Sequence, residues 1–272
     1  MRVAWASWLL VAASAIVLAR PPSQKDVIER AGRYVLAYGD ALPALVATET
    51  TEQHARAARI GGAVEVPFRR LVAEFAWVAL PEAPEVIGFR DVVEVDGMPV
   101  TEHRARLEQL LHRGDGGTWA QVRAMLEEGA RYNLAPGSRN FNLPTVVVFF
   151  LHPTQRARFA WSRTSADLSE WELSFKERGR PTMIRQGDGN PVFSRGRVRI
   201  DTASGAITYT ELRLEFGAIR YLLRVRFAPN PALGLTLPAQ LDEEYADPSG
   251  IVTGSATYTN YRRFQTGARL VQ

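Results

Sequence analysis

The residues with obvious chemical potential in this chain are four histidines, one run of three acids and one glycine–serine pair. The histidines are His54, His103, His112 and His152. His103 and His112 lie nine positions apart, so a helix does not stack them one turn apart on one face, as a pair of metal ligands requires. No His-Glu-x-x-His motif occurs. Gly137-Ser138 is followed by Arg-Asn and lacks the Gly-x-Ser-x-Gly elbow of a serine hydrolase. The same glycine stretch lacks the Lys and Ser/Thr of a phosphate loop and reads as a turn. Asp242, Glu243 and Glu244 are consecutive. A glycosidase needs two carboxylates converging across a cleft, whereas neighbours on a strand point to opposite sides. The run reads as a solvated strand end. No cysteine is present, which excludes thiolate catalysis, disulfides, cysteine-ligated zinc and a lipoprotein anchor. The expectation is a protein that is not an enzyme, with no metal and no cofactor.

The first elements to place are those that set location. Met1-Arg2 is followed by an uncharged apolar run from Val3 to Ala19. Val17 and Ala19 fit the small-residue positions of a signal-peptidase site, so residues 1–19 read as a signal peptide cleaved before Arg20. The rival reading is a retained membrane anchor, although the run is at the short limit for spanning a bilayer. Residues 20–272 would then be a single exported domain, periplasmic in a double-membraned bacterium. Of 272 residues, 46% are hydrophobic and 23% charged, which argues for a packed core rather than disorder. The formal net charge is +4, carried by arginine; Lys25 and Lys176 are the lysines. The arginines are interleaved with acids, so no compact basic tract forms. Tyr258, Tyr261, Arg262, Arg263 and Phe264 superficially suit base stacking. Export, and the likeness of this pattern to a sheet with one wet face, argue against a nucleic-acid partner. Membrane contact after cleavage is expected to be peripheral at most.

Residues 20–157 read as helix-rich. Ser23 with Asp26 is a capping pair, and Val27, Ala31, Tyr34, Val35 and Tyr38 follow helical spacing up to Pro43. Residues 44–56 read as a half-polar strand. Leu71, Ala73, Phe75, Trp77 and Ala79 share one face of another. Asp96-Gly97 supplies the positive φ angles of a tight hairpin. Helices are expected after Thr101 and after the Thr118/Gln121 capping box. Residues 143–151 are ambiguous: their β-branched residues favour a strand, while Asn142 and Pro144 favour a helix start. Residues 158–272 read as a meander of antiparallel strands split by Gly, Asn, Asp and Pro. Helices first and strands later argue an α+β class.

Several of these strands share an apolar face. Val198 and Ile200 oppose Arg197, Arg199 and Asp201; Leu212, Leu214 and Phe216 oppose Arg213 and Glu215. Leu223, Val225 and Phe227 oppose Arg224 and Arg226; Trp171, Leu173 and Phe175 oppose Glu172 and Ser174. Each such side chain gains roughly 1.5–3 kcal/mol on full burial, so this face must be covered.

From about Arg158 to Phe264 the chain resembles exported relatives of outer-membrane lipoprotein carrier proteins. The residues that carry the likeness are "GRVRIDTASGAIT", "LRVRFAPNPALGLTLPAQLDEEYA" and "GSATYTNYRRF". The resemblance implies an unclosed, strongly curved antiparallel half-barrel with helices on its concave side, holding acyl chains in the hollow. Residues 40–150 have no counterpart in that pattern. On this reading Trp171, Phe175, Val198, Ile200, Leu214, Phe216, Val225 and Phe227 line a cavity for a lipid or other apolar ligand. The alternative is a cell-envelope interaction module with a filled core, docking on a protein partner through its arginine-rich face. An enzyme without a recognisable motif is a third reading.

Overall fold

The computed structural model describes residues 22–57, 64–79, 86–101, 126–134, 143–167, 169–186 and 188–263. The signal segment 1–19, His103, His112, Thr118, Gln121, Asn142, Phe264 and most of the two helices expected after Thr101 lie outside them. Residues 126–130 are helical.

Helix α1 spans Gln24–Ala41. Ser23 caps it: its Oγ accepts from the Asp26 N–H at 3.2 Å, and the Ser23 N–H donates to Asp26 Oδ2 at 2.8 Å. Val27, Ala31, Val35 and Tyr38 form its buried stripe. The helix stops at a 3-10 turn, Leu42–Ala44, that contains Pro43.

The strands are β1 (Leu45–Ala57), β2 (Val64–Ala79), β3 (Val86–Val95), β4 (Met98–Pro99), β5 (Phe159–Ala166), β6 (Glu170–Glu177), β7 (Ile184–Arg185), β8 (Pro191–Val192), β9 (Ser194–Asp201), β10 (Ile207–Phe216), β11 (Ile219–Asn230), β12 (Leu235–Asp247) and β13 (Gly250–Arg263). All but β7 and β8 form one antiparallel sheet in the order β4-β3-β2-β1-β13-β12-β11-β10-β9-β6-β5. β7 and β8 pair separately. The sheet is unclosed, with β4 and β5 at its two ends. The β1–β13 pairing joins the early strands to the later meander. At the β3–β4 turn Asp96 and Gly97 both take positive φ, as a tight hairpin of this hand demands.

One face of this sheet, the inner face here, carries the core. Phe75, Trp77, Trp171, Leu173, Phe175, Val198, Ile200, Leu212, Leu214, Tyr221, Leu223 and Val225 join the buried stripe of α1 in a single apolar cluster. The β9–β10 hairpin is fitted to the helix. Gly205 has φ +79°, and a Cβ there would lie 2.7 Å from the Arg30 carbonyl oxygen, so only glycine suits the turn. The Arg30 guanidinium donates to the Thr202 carbonyl from the other side.

Two expectations need correction. Of the helices expected to cover the sheet, α1 lies among the described residues, and those expected after Thr101 lie almost wholly outside them. Residues 143–151 form neither a strand nor an α-helix. Val146, Val148, Phe150 and His152 each donate their N–H to the residue three before, and the run ends in a 3-10 helix, Val148–Leu151. That tight coil reconciles Pro144 with a β-branched stretch. It lies on the inner face: Trp77 Nε1 donates to Thr145 Oγ1 at 3.2 Å, and the Phe150 and Phe159 rings stack with centroids 4.7 Å apart. Finally, the acid run is not wholly solvated. Asp242 and Glu244 face outward, but Glu243 is buried, within 3.4 Å of the Tyr221 hydroxyl that donates to it.

Candidate ligand-binding cavity

The inner face bears the eight residues singled out from the alternation pattern. Trp171, Phe175, Val198, Ile200, Leu214, Val225 and Phe227 are all buried in one cluster, and half-buried Phe216 packs against it. They form a packed floor.

An open volume lies to one side of that floor. A cavity of about 400 Å³ is bounded by the second half of α1 (Val35, Leu36, Gly39, Asp40), by the 143–155 segment (Leu143, Val146, Phe149, Phe150, His152, Thr154, Gln155), and by Val86 and Met183. None of the eight floor residues borders it. The cavity exists because the 3-10 coil of 148–151 meets α1 only in part. Gly39 faces Phe149 across the gap, its Cβ position 3.5 Å from the ring. Leu36, 44% exposed, stands at the mouth. The walls are apolar and the rim polar. His152 Nδ1 lies 2.8 Å from Thr154 Oγ1, and Gln155 Oε1 accepts from Arg158 Nε at 2.8 Å.

The inner face also holds buried polar groups. Glu49 on β1 pairs with Arg90 on β3 and accepts from the Tyr258 hydroxyl at 2.7 Å. Burial pulls the Arg90 pKa down and Glu49 more than reverses it, so the guanidinium is held in its charged form. Burial, with the Glu49 charge second, pushes the Tyr258 hydroxyl well up. Tyr258 is buried in the inner-face core, Tyr261 packs against it, and Tyr261 donates to the Pro238 carbonyl at 2.6 Å. Tyr38 has a buried hydroxyl without a hydrogen-bond partner among the described residues.

The outer face is charged and self-compensating. Arg70, Glu52, Ser255, Asp242, Arg224, Glu211, Arg197 and Ser174 stand directly opposite one another in succession from β2 to β6. Glu211 is the centre of this row. It is 1% exposed, and Arg197 Nη2 (2.9 Å), Arg213 Nε (2.9 Å) and Arg224 Nε (3.4 Å) converge on it. Burial pushes its pKa up, but the Arg197 and Arg213 hydrogen bonds outweigh that and bring it down to about 2. Arg195, Arg199 and Arg226 are answered by Glu215, Glu172 and Asp242. A polar hollow of about 290 Å³ on this face is edged by Glu52, His54, Asp242 and Glu244. Among the described residues no group of three or more His, Asp or Glu is placed to hold a metal ion. None of their helices is long and apolar enough to cross a membrane.

Fold and site together define an open antiparallel sheet whose helix-covered face leaves an apolar cavity. No family model matches the chain, and no curated protein matches it. Among solved structures it is similar to an outer membrane lipoprotein-sorting protein domain from Vibrio parahaemolyticus, at 11% identity over 89% of this chain and 93% of that one, with a TM-score of 0.41. It also matches a structure of lipid–protein interactions in lipovitellin, at 6% identity over 85% of this chain and 26% of that one, with a TM-score of 0.28.

Proposed function

We propose that this is an exported, periplasmic protein that holds a lipid or other apolar ligand and carries out no reaction on it. The observation that carries the reading is the cavity between α1 and the 143–155 segment. At about 400 Å³ it falls in the range of roughly 300–1,000 Å³ typical of ligand pockets, and it has their usual apolar walls and polar rim. The eight floor residues join the site when α1 shifts. Val27, Ala31 and Val35 rest on the same cluster as Val198, Ile200 and Val225, so moving the helix extends the cavity onto the sheet.

The test is native mass spectrometry of the protein purified from a lysate that retains membranes, with calorimetric titration of dodecanol. One co-purifying lipid or one dodecanol per chain is expected. Repeated absence of both overturns the reading.

One observation favours a second reading, an interaction module with a filled core that docks on a cell-envelope protein. Seven of the eight floor residues are fully packed. The arginine-rich face is its docking surface, although the ion pairs across that face already neutralise much of its charge. Absence of ligand uptake with retained folding would leave this reading standing.

A further inference from the structure

Among the described residues that border the cavity, Asp40 is the one Asp, Glu, Lys or Arg. Asp40 lies in the last turn of α1 and borders the cavity. A helix C-terminus carries partial negative charge from its free carbonyls, so a carboxylate there is opposed by the helix itself, and a cation is favoured. The last turn contains no basic residue. Asp40 makes no hydrogen bond or ion pair among the described residues. Its placement is therefore a local cost to the helix with no visible structural return, the kind of departure that marks functional positions.

Among the described residues that border the cavity there is no arginine or lysine. The nearest basic groups on the same segment are engaged elsewhere. Arg156 reaches the Ile28 carbonyl and lies against Gly32, two turns before Asp40. Arg158 donates to Gln155 and to the Pro181 carbonyl. Leu36 stands one turn before Asp40 on the same side of the helix. An apolar chain lying against Leu36, Val146, Phe149 and Met183 would thus have its polar end at Asp40.

We propose that the cavity selects a single-chain amphiphile with a cationic, amine-type head and discriminates against the same chain ending in a carboxylate. This rests on the ligand-binding reading above and adds the chemistry of the head group. The negative helix end and the Asp40 carboxylate act together on that head, and both weaken as salt rises.

The test is calorimetric titration of the full chain at low salt with dodecylammonium, dodecanol and dodecanoate, each below its micelle concentration. Wild type is compared with Asp40→Asn. Dodecylammonium is expected to bind about tenfold more tightly than dodecanoate, the ratio that modest attraction and repulsion at an exposed carboxylate produce. Asp40→Asn should bring the two within about threefold, the residue left by the helix end alone. The variant removes a charge the helix opposes, so its melting temperature should not fall. Equal binding of the amine and the carboxylate to wild type overturns the inference while leaving the ligand reading intact. So does a preference that survives Asp40→Asn in full. Failure of all three probes to bind overturns this inference, and together with the absence of co-purifying lipid it overturns the ligand reading itself.

Discussion

Glu49 and Arg90 face each other across β2 on the inner face of the sheet, with Arg90 Nη2 2.6 Å from Glu49 Oε1 and a second contact from Nε. The Glu49 side chain is 1% exposed and that of Arg90 13%. A pair this dry contributes little net stability compared with apolar residues of the same size, but removing one partner strands the other. Glu49→Gln should therefore destabilise the protein by about 3–5 kcal/mol, read from the shift in urea midpoint. The double change Glu49→Leu/Arg90→Met should recover most of that loss. A single mutant as stable as wild type would mean that the guanidinium is not buried.

Glu211 makes a prediction about acid. Its carboxyl titrates at about 2 in the folded protein, against 4.5 for an ordinary glutamate. A depressed pKa stabilises the fold above the unfolded value, and that contribution disappears as pH falls from about 4.5 through 2. Because the three arginines are half-exposed, the effect is on the order of 1–2 kcal/mol. Glu211→Gln should be less stable than wild type by that amount at pH 7, and the gap should close towards pH 2 in denaturant titrations. A gap that is unchanged on acidification would contradict the arginine cage.

Gly196 tests the register of β9 against β10. A Cβ at this position would lie 1.8 Å from the Glu211 carbonyl oxygen and 2.8 Å from the Phe175 ring. The first obstacle is backbone and cannot swing away. Gly196→Ala should cost at least about 3 kcal/mol, the upper range for overpacking. A thermal melt within a few degrees of wild type would show that the two strands are not paired as described.

Much of the sheet was legible because a strand's side chains alternate and the sequence keeps that alternation. Leu223, Val225 and Phe227 against Arg224 and Arg226 point where the pattern says. The start of α1 was legible from Ser23 and Asp26, and its end from Pro43. Buried carboxylates were not: Glu211 occupies a position where alternation allows a wet residue, while Glu49 and Glu243 place a charge on the apolar face. Only the pairing of distant strands brings Arg90 to Glu49, and Arg197 and Arg224 to Glu211. The cavity was also hidden. It is bounded by residues from 35 to 183, and its shape depends on a 3-10 coil that neither strand nor helix periodicity announces. The floor was read correctly as one apolar face; that the open space lies beside it, against α1, follows from packing alone.

The central claim is that the space between α1 and Phe149 holds an apolar ligand. Gly39→Leu tests it most directly, because a leucine here extends into that space while replacing a glycine in the last turn of α1. The substitution should raise helix stability by a fraction of the roughly 1 kcal/mol that separates glycine from leucine in a helix interior. Calorimetric titration with dodecanol should give one site on wild type and at least about tenfold weaker binding on the variant, the loss expected when an apolar site is occupied, with a melting temperature at or above wild type. Equal dodecanol affinity for the two proteins would contradict the account.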